Sequence, residues 1–401
     1  MIFVTYWYVM FATLAVVVFW TLRWPRARLG FLALACLVFQ AHFAGPAGML
    51  PIIVLMILTF FAGRSRRPWA CVAAIATCVA ALCFYKYSVF LLSELITPFS
   101  RSLAEKLLAG VKAIMPGAPP LGISFFAFEF VHYLYEVKRG GEPIRNPLKF
   151  LLFAIFFPSL VAGPIKRYTQ YLPSLEAGVQ HLRRENIAWG LWRVGQGFFK
   201  KLLIADNLTF LIDYYQPQFA SLSLAARWGV FAAIAFRILM DFSGYSDIAI
   251  GCAQLFGVRL PENFNWPYVA QSLQDFWQRL HISLSSWFRD YVFLPLEVAT
   301  RGNPNPTFRA SGNVLLTMLL CGLWHGAAWN FVVWGLYHGA GLVTCATYRR
   351  VPVLGPAIQK VFAKEPLSAW LLTQAYAWFG WLVFFYPIPE ALRMAGLLFG
   401  L

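Results

Sequence analysis

Three stretches of the chain, residues 1–22, 29–63 and 314–348, contain no Asp, Glu, Lys or Arg. A helix needs only about 20 mostly apolar residues to cross a bilayer. Uncharged runs of this length therefore restrict the chain to helices in lipid, where backbone amides must be satisfied inside their own segment. Composition agrees. Hydrophobic residues make up 60% of the 401 positions, aromatics 18% and charged residues 12%, against about 25% charged in soluble domains. That balance excludes a soluble enzyme, and the apolar surface available for burial excludes disorder.

The net charge of +16 comes from 33 Lys and Arg against 17 Asp and Glu. The basic residues sit between apolar runs, which is how membrane proteins mark their cytoplasmic side, and this placement argues against nucleic acid as a partner. Seven cysteines are scattered mostly through apolar segments. They show no metal-ligand spacing and no disulfide framework, and read as small packing residues.

Arg23, Arg26 and Arg28 follow the first apolar run rather than precede it. This is the reverse of a secretory signal, so the sequence predicts an uncleaved first helix with its N-terminus outside. The run 29–63 is too long for one span and is expected to break at Gly45-Pro46, because proline interrupts the helical ladder. Arg64, Arg66 and Arg67 then return the chain to the cytoplasmic side, in agreement with the first basic cluster. Further segments follow at 69–96, with Lys86 snorkelling, at 121–137, and at 150–165, which is short and broken by Pro158, Gly163 and Pro164 and reads as re-entrant. Residues 100–115 and part of 183–215 read as interfacial. Segments at 228–256, 267–298, 314–348 (one long helix or two short ones) and 366–389 complete an all-α integral membrane protein of about ten to twelve membrane segments. The simplest organisation is one integrated domain over 1–401: N-terminal helices to 97, a motif-bearing core at 121–338, and a last strong span at 366–389.

Several polar side chains do not belong in lipid, and such residues usually face a cavity or a partner. Arg237 and Asp241 are four apart and are expected to neutralise each other on one helix face. Asp241, Ser243 and Asp247 put two acids and a hydroxyl into an apolar stretch, and are expected to line a polar cavity or meet protein. His42 and His181 read as structural. Glu129 and His132, three apart, suggest a local hydrogen bond. His281 lies in a segment dense in polar groups, and His325 in the middle of an uncharged run, where an imidazole can act as a base near neutral pH. The flanking Gly322 and Gly326 would leave room for a substrate beside it, and Trp329 and Asn330 lie close enough in sequence to support it. His338 is 13 residues further on, about 220° around an ideal helix, and would face elsewhere on one straight helix.

Six segments together carry a resemblance: Leu-Gly-Ile-Ser-Phe-Phe-Ala-Phe (121–128), Phe-Pro-Ser-Leu-Val-Ala-Gly-Pro-Ile (157–165), Asp-Phe-Ser-Gly-Tyr-Ser-Asp-Ile-Ala-Ile-Gly (241–251), Asn-Phe-Asn-Trp-Pro-Tyr (263–268), the stretch 275–291 around Arg279-Leu-His281, and Gly-Leu-Trp-His-Gly-Ala-Ala-Trp-Asn (322–330). With these, the chain resembles the membrane-bound O-acyltransferase family, and within it the bacterial branch of the alginate O-acetylation and teichoic acid D-alanyl transfer type. The resemblance implies a ring of helices around a central tunnel. It implies that His325, in Trp324-His325-Gly326, is catalytic and that His281 occupies the second characteristic position. It also implies transfer of an acyl group, most simply acetyl, from a thioester donor (acetyl-CoA or an acyl carrier protein thioester) to hydroxyls of a cell-surface polysaccharide. No bound cofactor or metal is expected. The implied partners are membrane lipid, the polysaccharide acceptor and an extracytoplasmic serine hydrolase-like protein, and the implied location is the bacterial inner membrane. Trp324, Asn330, Asp241, Ser243 and Asp247 are the candidate substrate-binding or cavity-lining residues.

The absence of a GxSxG elbow, an HExxH site and a P-loop disfavours a serine hydrolase, a zinc protease and an ATP-driven pump. A transporter or flippase for a lipid-linked sugar or small solute would use the same buried polar groups, but the chain shows no internal repeat. A scaffold for a polymer synthase is the third class, and it predicts normal acylation after both histidines are replaced.

Overall fold

The computed structural model describes residues 2–115, 119–161, 163–181 and 183–401. Ala162, within the segment 157–165, lies outside the described residues. Among the described residues the secondary structure is helical, with no strand. The α-helices are α1 (Tyr6–Thr21), α2 (Pro25–Ser65), α3 (Pro68–Leu91), α4 (Arg101–Ile114), α5 (Ile123–Lys138), α6 (Pro147–Ile155), α7 (Tyr168–Gly178), α8 (Arg184–Phe198), α9 (Asp206–Tyr215), α10 (Leu224–Leu255), α11 (Leu273–Arg279), α12 (Ile282–Phe288), α13 (Leu294–Ala299), α14 (Pro306–His325), α15 (Trp329–Thr347), α16 (Leu354–Lys364), α17 (Pro366–Phe385) and α18 (Ile388–Leu397). They fall into two compact units, Met1–Phe198 with Tyr245–Pro261, and Phe199–Gly244 with Glu262–Leu401.

In the first unit α2 is interrupted where the sequence predicts it. Gly45 takes φ 64°, ψ 173°, and Pro46 follows. Only glycine reaches that backbone conformation without a Cβ clash. At about 1.5 Å per residue, 41 helical residues would span twice the hydrocarbon core, so the break divides the run into lengths that fit. α2 and the segment Pro68–Ile96 are long and apolar enough to cross a membrane; Tyr6–Thr21 and Pro147–Ser159 are shorter apolar helices. Of the remaining expected segments, α10 holds Arg237, Asp241 and Asp247, whereas α15 and α17 carry no Asp, Glu, Lys or Arg.

The first unit is packed with aromatic rings. Phe157 is surrounded by Tyr8, Phe11, Phe39 and Phe256, with ring centres between 5.2 and 6.4 Å away. The Trp20 indole N–H donates to the Leu255 carbonyl at 2.8 Å and anchors α1 to the end of α10. The outer faces remain apolar: Leu34, Leu50, Val54 and Phe61 of α2 are more than half exposed. Facing water, each would forgo about 1.5–3 kcal/mol of burial; facing acyl chains they lose nothing. Arg66 and Glu142 form an ion pair, which places the basic loops 64–68 and 138–149 at the same end of this unit.

Two local expectations are corrected here. Glu129 does not bond to His132. Its Oε1 lies 2.5 Å from Lys166 Nζ, with both side chains fully buried. His132 Nε2 instead accepts from the Tyr168 backbone N–H at 3.2 Å. A carboxylate in an apolar helix bundle is better compensated by a full opposite charge than by a neutral imidazole.

In the second unit, the uncharged run 314–348 forms two helices. Gly326 and Ala328 are extended (φ −167° and −157°), and α14 and α15 fold back on each other across them. Their contact is made by glycines. A Cβ on Gly322 would lie 2.2 Å from the Phe331 carbonyl oxygen, and one on Gly335 would lie 2.4 Å from that of Met318. Gly326 is filled in the same way, since a Cβ there would meet the Phe331 ring at 2.1 Å. The room at Gly322 and Gly326 is thus taken by helix packing, and not left for a substrate as the sequence suggested.

Candidate active site

The α10–α11 connection runs beside the turn between α11 and α12. Asn265 N–H donates to the Arg279 carbonyl at 2.9 Å, and Ile282 N–H to the Asn263 carbonyl at 2.9 Å. Between these two rungs stands His281, in the left-handed region at φ 44°, ψ 52°. A non-glycine residue held there costs about 1–2 kcal/mol, and persists only where its surroundings fix it. Here Asn263 does so. Its Oδ1 accepts from Ser283 N–H at 3.2 Å and Ser283 Oγ at 2.7 Å, and lies 3.3 Å from His281 Nδ1.

This arrangement fixes a tautomer. The Ser283 backbone N–H is an obligatory donor, so the Asn263 atom facing it is the carbonyl oxygen. His281 Nδ1 must then carry the proton it shares with that oxygen. In the neutral ring, Nε2 keeps its lone pair, and no protein group among the described residues takes it. Phe242 stands edge-on to the imidazole at 4.6 Å.

His325 is the last residue of α14, half-buried at the break before α15. Its ring is enclosed by Trp324 (4.6 Å), Phe384 (4.9 Å) and Trp334 (5.0 Å). The Trp324 ring also lies 5.9 Å from that of His281. Two histidines 44 residues apart in sequence thus contact one indole. Asn330 does not reach His325; its Nδ2 donates to the Phe384 carbonyl at 3.2 Å, which holds α17, and with it the Phe384 ring, against the imidazole. Trp329, at 47% exposure, projects outward.

His338 lies on α15 rather than on a continuation of α14, so the single-helix argument for its orientation does not apply. It is fully buried against Trp334 (4.8 Å) and Trp277 (5.3 Å), and neither ring nitrogen has a hydrogen-bond partner among the described residues. Trp334 therefore touches both His325 and His338.

The acid-rich stretch of α10 is helical, and its carboxylates point apart: six residues amount to 600°, or 120° of separation on the helix face. Asp241 lies 2.9 Å from Lys201 Nζ, which also pairs with Asp206. Asp247 accepts from Arg193 Nε at 2.7 Å. Ser243 is buried, and its hydroxyl has no partner among the described residues. The expected Arg237–Asp241 pair is not formed. The guanidinium sits 4.4 Å over the Phe385 ring, and Lys201, on the π-helical stretch Phe199–Ala205 between α8 and α9, reaches the carboxylate instead. Sequence reasoning missed Asn263, Ser283, Lys201 and Arg193. Asn263 and Ser283 left a signal, as members of the segments 263–268 and 275–291.

The sequence profile of the membrane-bound O-acyltransferase family matches residues 124–386, which takes in the two histidines, their aromatic surround and Asn263. The chain belongs to this family. Among proteins with which it shares sequence are a probable alginate O-acetylase AlgI of Pseudomonas aeruginosa, 37% identical over 80% of this chain and 58% of that protein, and a peptidoglycan O-acetyltransferase of Helicobacter pylori, 34% identical over 80% of this chain and 62% of that protein. A teichoic acid D-alanyltransferase of Bacillus subtilis is 32% identical over 57% of this chain and 59% of that protein. The chain spans about three fifths of the length of these curated relatives.

Proposed function

We propose that this protein is an O-acyltransferase of the bacterial inner membrane. It moves an acyl group, most readily acetyl, from a cytoplasmic thioester to hydroxyls of a cell-surface or exported polysaccharide, with His325 as general base. Family membership and the activities named for the relatives support the reaction class. Two of the three named relatives are acetyl-transferring proteins, which supports acetyl over D-alanyl. The observation that carries the reading is the pair of imidazoles that share contact with the Trp324 ring, one of them with a fixed tautomer.

In this reading His325 takes the proton of the acceptor hydroxyl as its oxygen attacks the thioester carbonyl. The tetrahedral intermediate collapses, the carbon–sulfur bond breaks, and the imidazolium returns the proton to the leaving thiolate. His281 Nε2, an acceptor in the tautomer Asn263 selects, orients the hydroxyl. The aromatic enclosure of His325 excludes water that would hydrolyse the thioester. Donor and acceptor meet from opposite sides of the membrane, along the tunnel the family resemblance implies, and an extracytoplasmic serine hydrolase-like protein takes part in delivery to the polymer. The N-terminus is outside, and the loops at 23–28, 64–68 and 138–149 are cytoplasmic.

The test is acyl transfer from labelled acetyl-CoA by membranes carrying wild type or His325→Ala, normalised to protein amount. The variant is expected at normal level and to lose roughly 10²-fold or more of the rate. Retention of most of the activity, or a loss that tracks disappearance of the protein, overturns the assignment. A transporter gives no acylated product from either form.

A further inference from the structure

The second unit contains a cavity of about 720 Å³ far from His325, where the start of α11, the second half of α15, α16 and the first half of α17 converge. α15 rises about 1.5 Å per residue, so Arg349, just past its C-terminal end, lies about 30 Å along the axis from the break that holds His325. The volume falls within the range of sites that enclose small ligands. Its lining is mixed. Arg349, Gln271 and Gln359 contribute polar groups, and Phe362, Ala369 and Leu372 an apolar wall. Arg349 and Gln359 are exposed, and so is Leu372 at 61%. The cavity thus reaches the surface through polar and apolar residues alike.

Two further observations identify the occupant. The Arg349 guanidinium has no carboxylate partner among the described residues; its Nε donates only to the Tyr348 hydroxyl, at 3.4 Å. Residues 349–365 carry four cations, Arg349, Arg350, Lys360 and Lys364, against one acid, Glu365. Beside the cavity, α16 exposes Leu354 at 57% and Val361 at 51% next to its lysines, with Val353 at 86% just before it. An amphipathic helix with exposed apolar residues and a basic face lies in the headgroup region of a bilayer, where such cations attract anionic lipid.

We infer that this cavity binds an anionic phospholipid, with the phosphate on Arg349 and an acyl chain along Phe362 and Leu372. A phosphate without a tail would use the guanidinium but not the wall, and a neutral lipid would use the wall but gain nothing from the surrounding cations. The full chain, purified in mild detergent and stripped of lipid, is titrated with phosphatidylglycerol, phosphatidylcholine or glycerol 3-phosphate. Bound ligand per protein is read by native mass spectrometry, and the thermal midpoint by tryptophan fluorescence. Phosphatidylglycerol is expected to be retained at about one per chain with a raised midpoint, phosphatidylcholine more weakly, and glycerol 3-phosphate not at all. Arg349→Gln should weaken phosphatidylglycerol retention roughly tenfold, the scale of one charge-assisted hydrogen bond. Leu372→Trp, an exposed position that tolerates bulk, should weaken both lipids. Arg350→Gln, whose arginine bonds to Thr307 and does not line the cavity, should match wild type. Equal retention by wild type and Arg349→Gln or Leu372→Trp overturns the inference. So does an effect of Arg350→Gln as large as that of Arg349→Gln, equal binding of the two lipids, or a glycerol 3-phosphate response equal to that of phosphatidylglycerol.

Discussion

Lys166 and Glu129 in the first unit, and His281 and His338 in the second, are all buried, yet their surroundings treat them differently. The first pair is closed on itself at 2.5 Å, with the ammonium also facing the rings of Phe125, Phe153 and Tyr171 at 5.1 to 5.6 Å. Glu129 Oε2 has no hydrogen-bond partner among the described residues. What the pair supplies is neutrality, since an isolated charge in such a place is far costlier than a missing hydrogen bond. In the second unit His281 has one nitrogen held and one left over, and His338 has neither held. A neutral imidazole can stand this at about 1–3 kcal/mol; an ion could not. The buried charges here close on each other and tie α5 to the connection before α7, while the buried imidazoles leave ring nitrogens without a protein partner among the described residues.

The contrast can be broken most sharply at Lys166. Lys166→Ala leaves Glu129 buried without its cation and should destabilise the protein by about 3–5 kcal/mol, whereas Glu129→Leu with Lys166→Met should be far milder. Thermal unfolding in detergent compares the two, and a single variant as stable as wild type would show the charge to be compensated in another way. A smaller effect is expected at Asn263. Asn263→Ala frees His281 from its backbone conformation and its tautomer, and should lower the acyl-transfer rate roughly tenfold, in line with about 1–3 kcal/mol for a buried polar group left unpaired. Asn263→Asp, which still accepts from Nδ1, should restore most of the rate while altering its pH profile. An unchanged rate in Asn263→Ala would detach the clamp from the chemistry. The smallest effect belongs to His338→Phe, which removes two unpartnered nitrogens and keeps a ring against Trp334. Stability should stay within about 1 kcal/mol of wild type and the rate close to it. A fall matching that of His325→Ala would mean that the two histidines act together through Trp334.

Much of the architecture was legible because it depends on local rules. The break at Gly45-Pro46, the helices at 68–91 and 123–138, and the short helix at 147–155 follow from apolar length, proline and glycine. The contacts of His281 and His325 with the Trp324 ring were not readable from spacing; the family resemblance singled out the two histidines, and not the indole they share. The ion pairs were misread where a neighbour four or three residues away was preferred to one on another helix: Lys201 for Asp241, 40 residues distant, and Lys166 for Glu129, 37 residues distant. Sequence periodicity reports which residues share a face, and carries nothing about what is packed against that face. The left-handed turn at His281 left only a faint trace: histidine is enriched several-fold at positive φ, but such residues are a few per cent of the total.

Gly322 and Gly335 join α14 and α15 backbone to backbone, with almost no side chain between them. The imidazole at the end of α14 is therefore registered by the main chain, as a tooth is by its jaw, while the rings around it are replaceable furniture. Changing Trp324 or Phe384 to a smaller aromatic would reshape the space beside the His325 ring and leave the imidazole where it stands. One methyl group at position 322 would move the imidazole itself. Under the proposed function, the shape of the space beside the imidazole and the placement of the imidazole would then rest on different parts of the chain, and variation in the first need not cost the second.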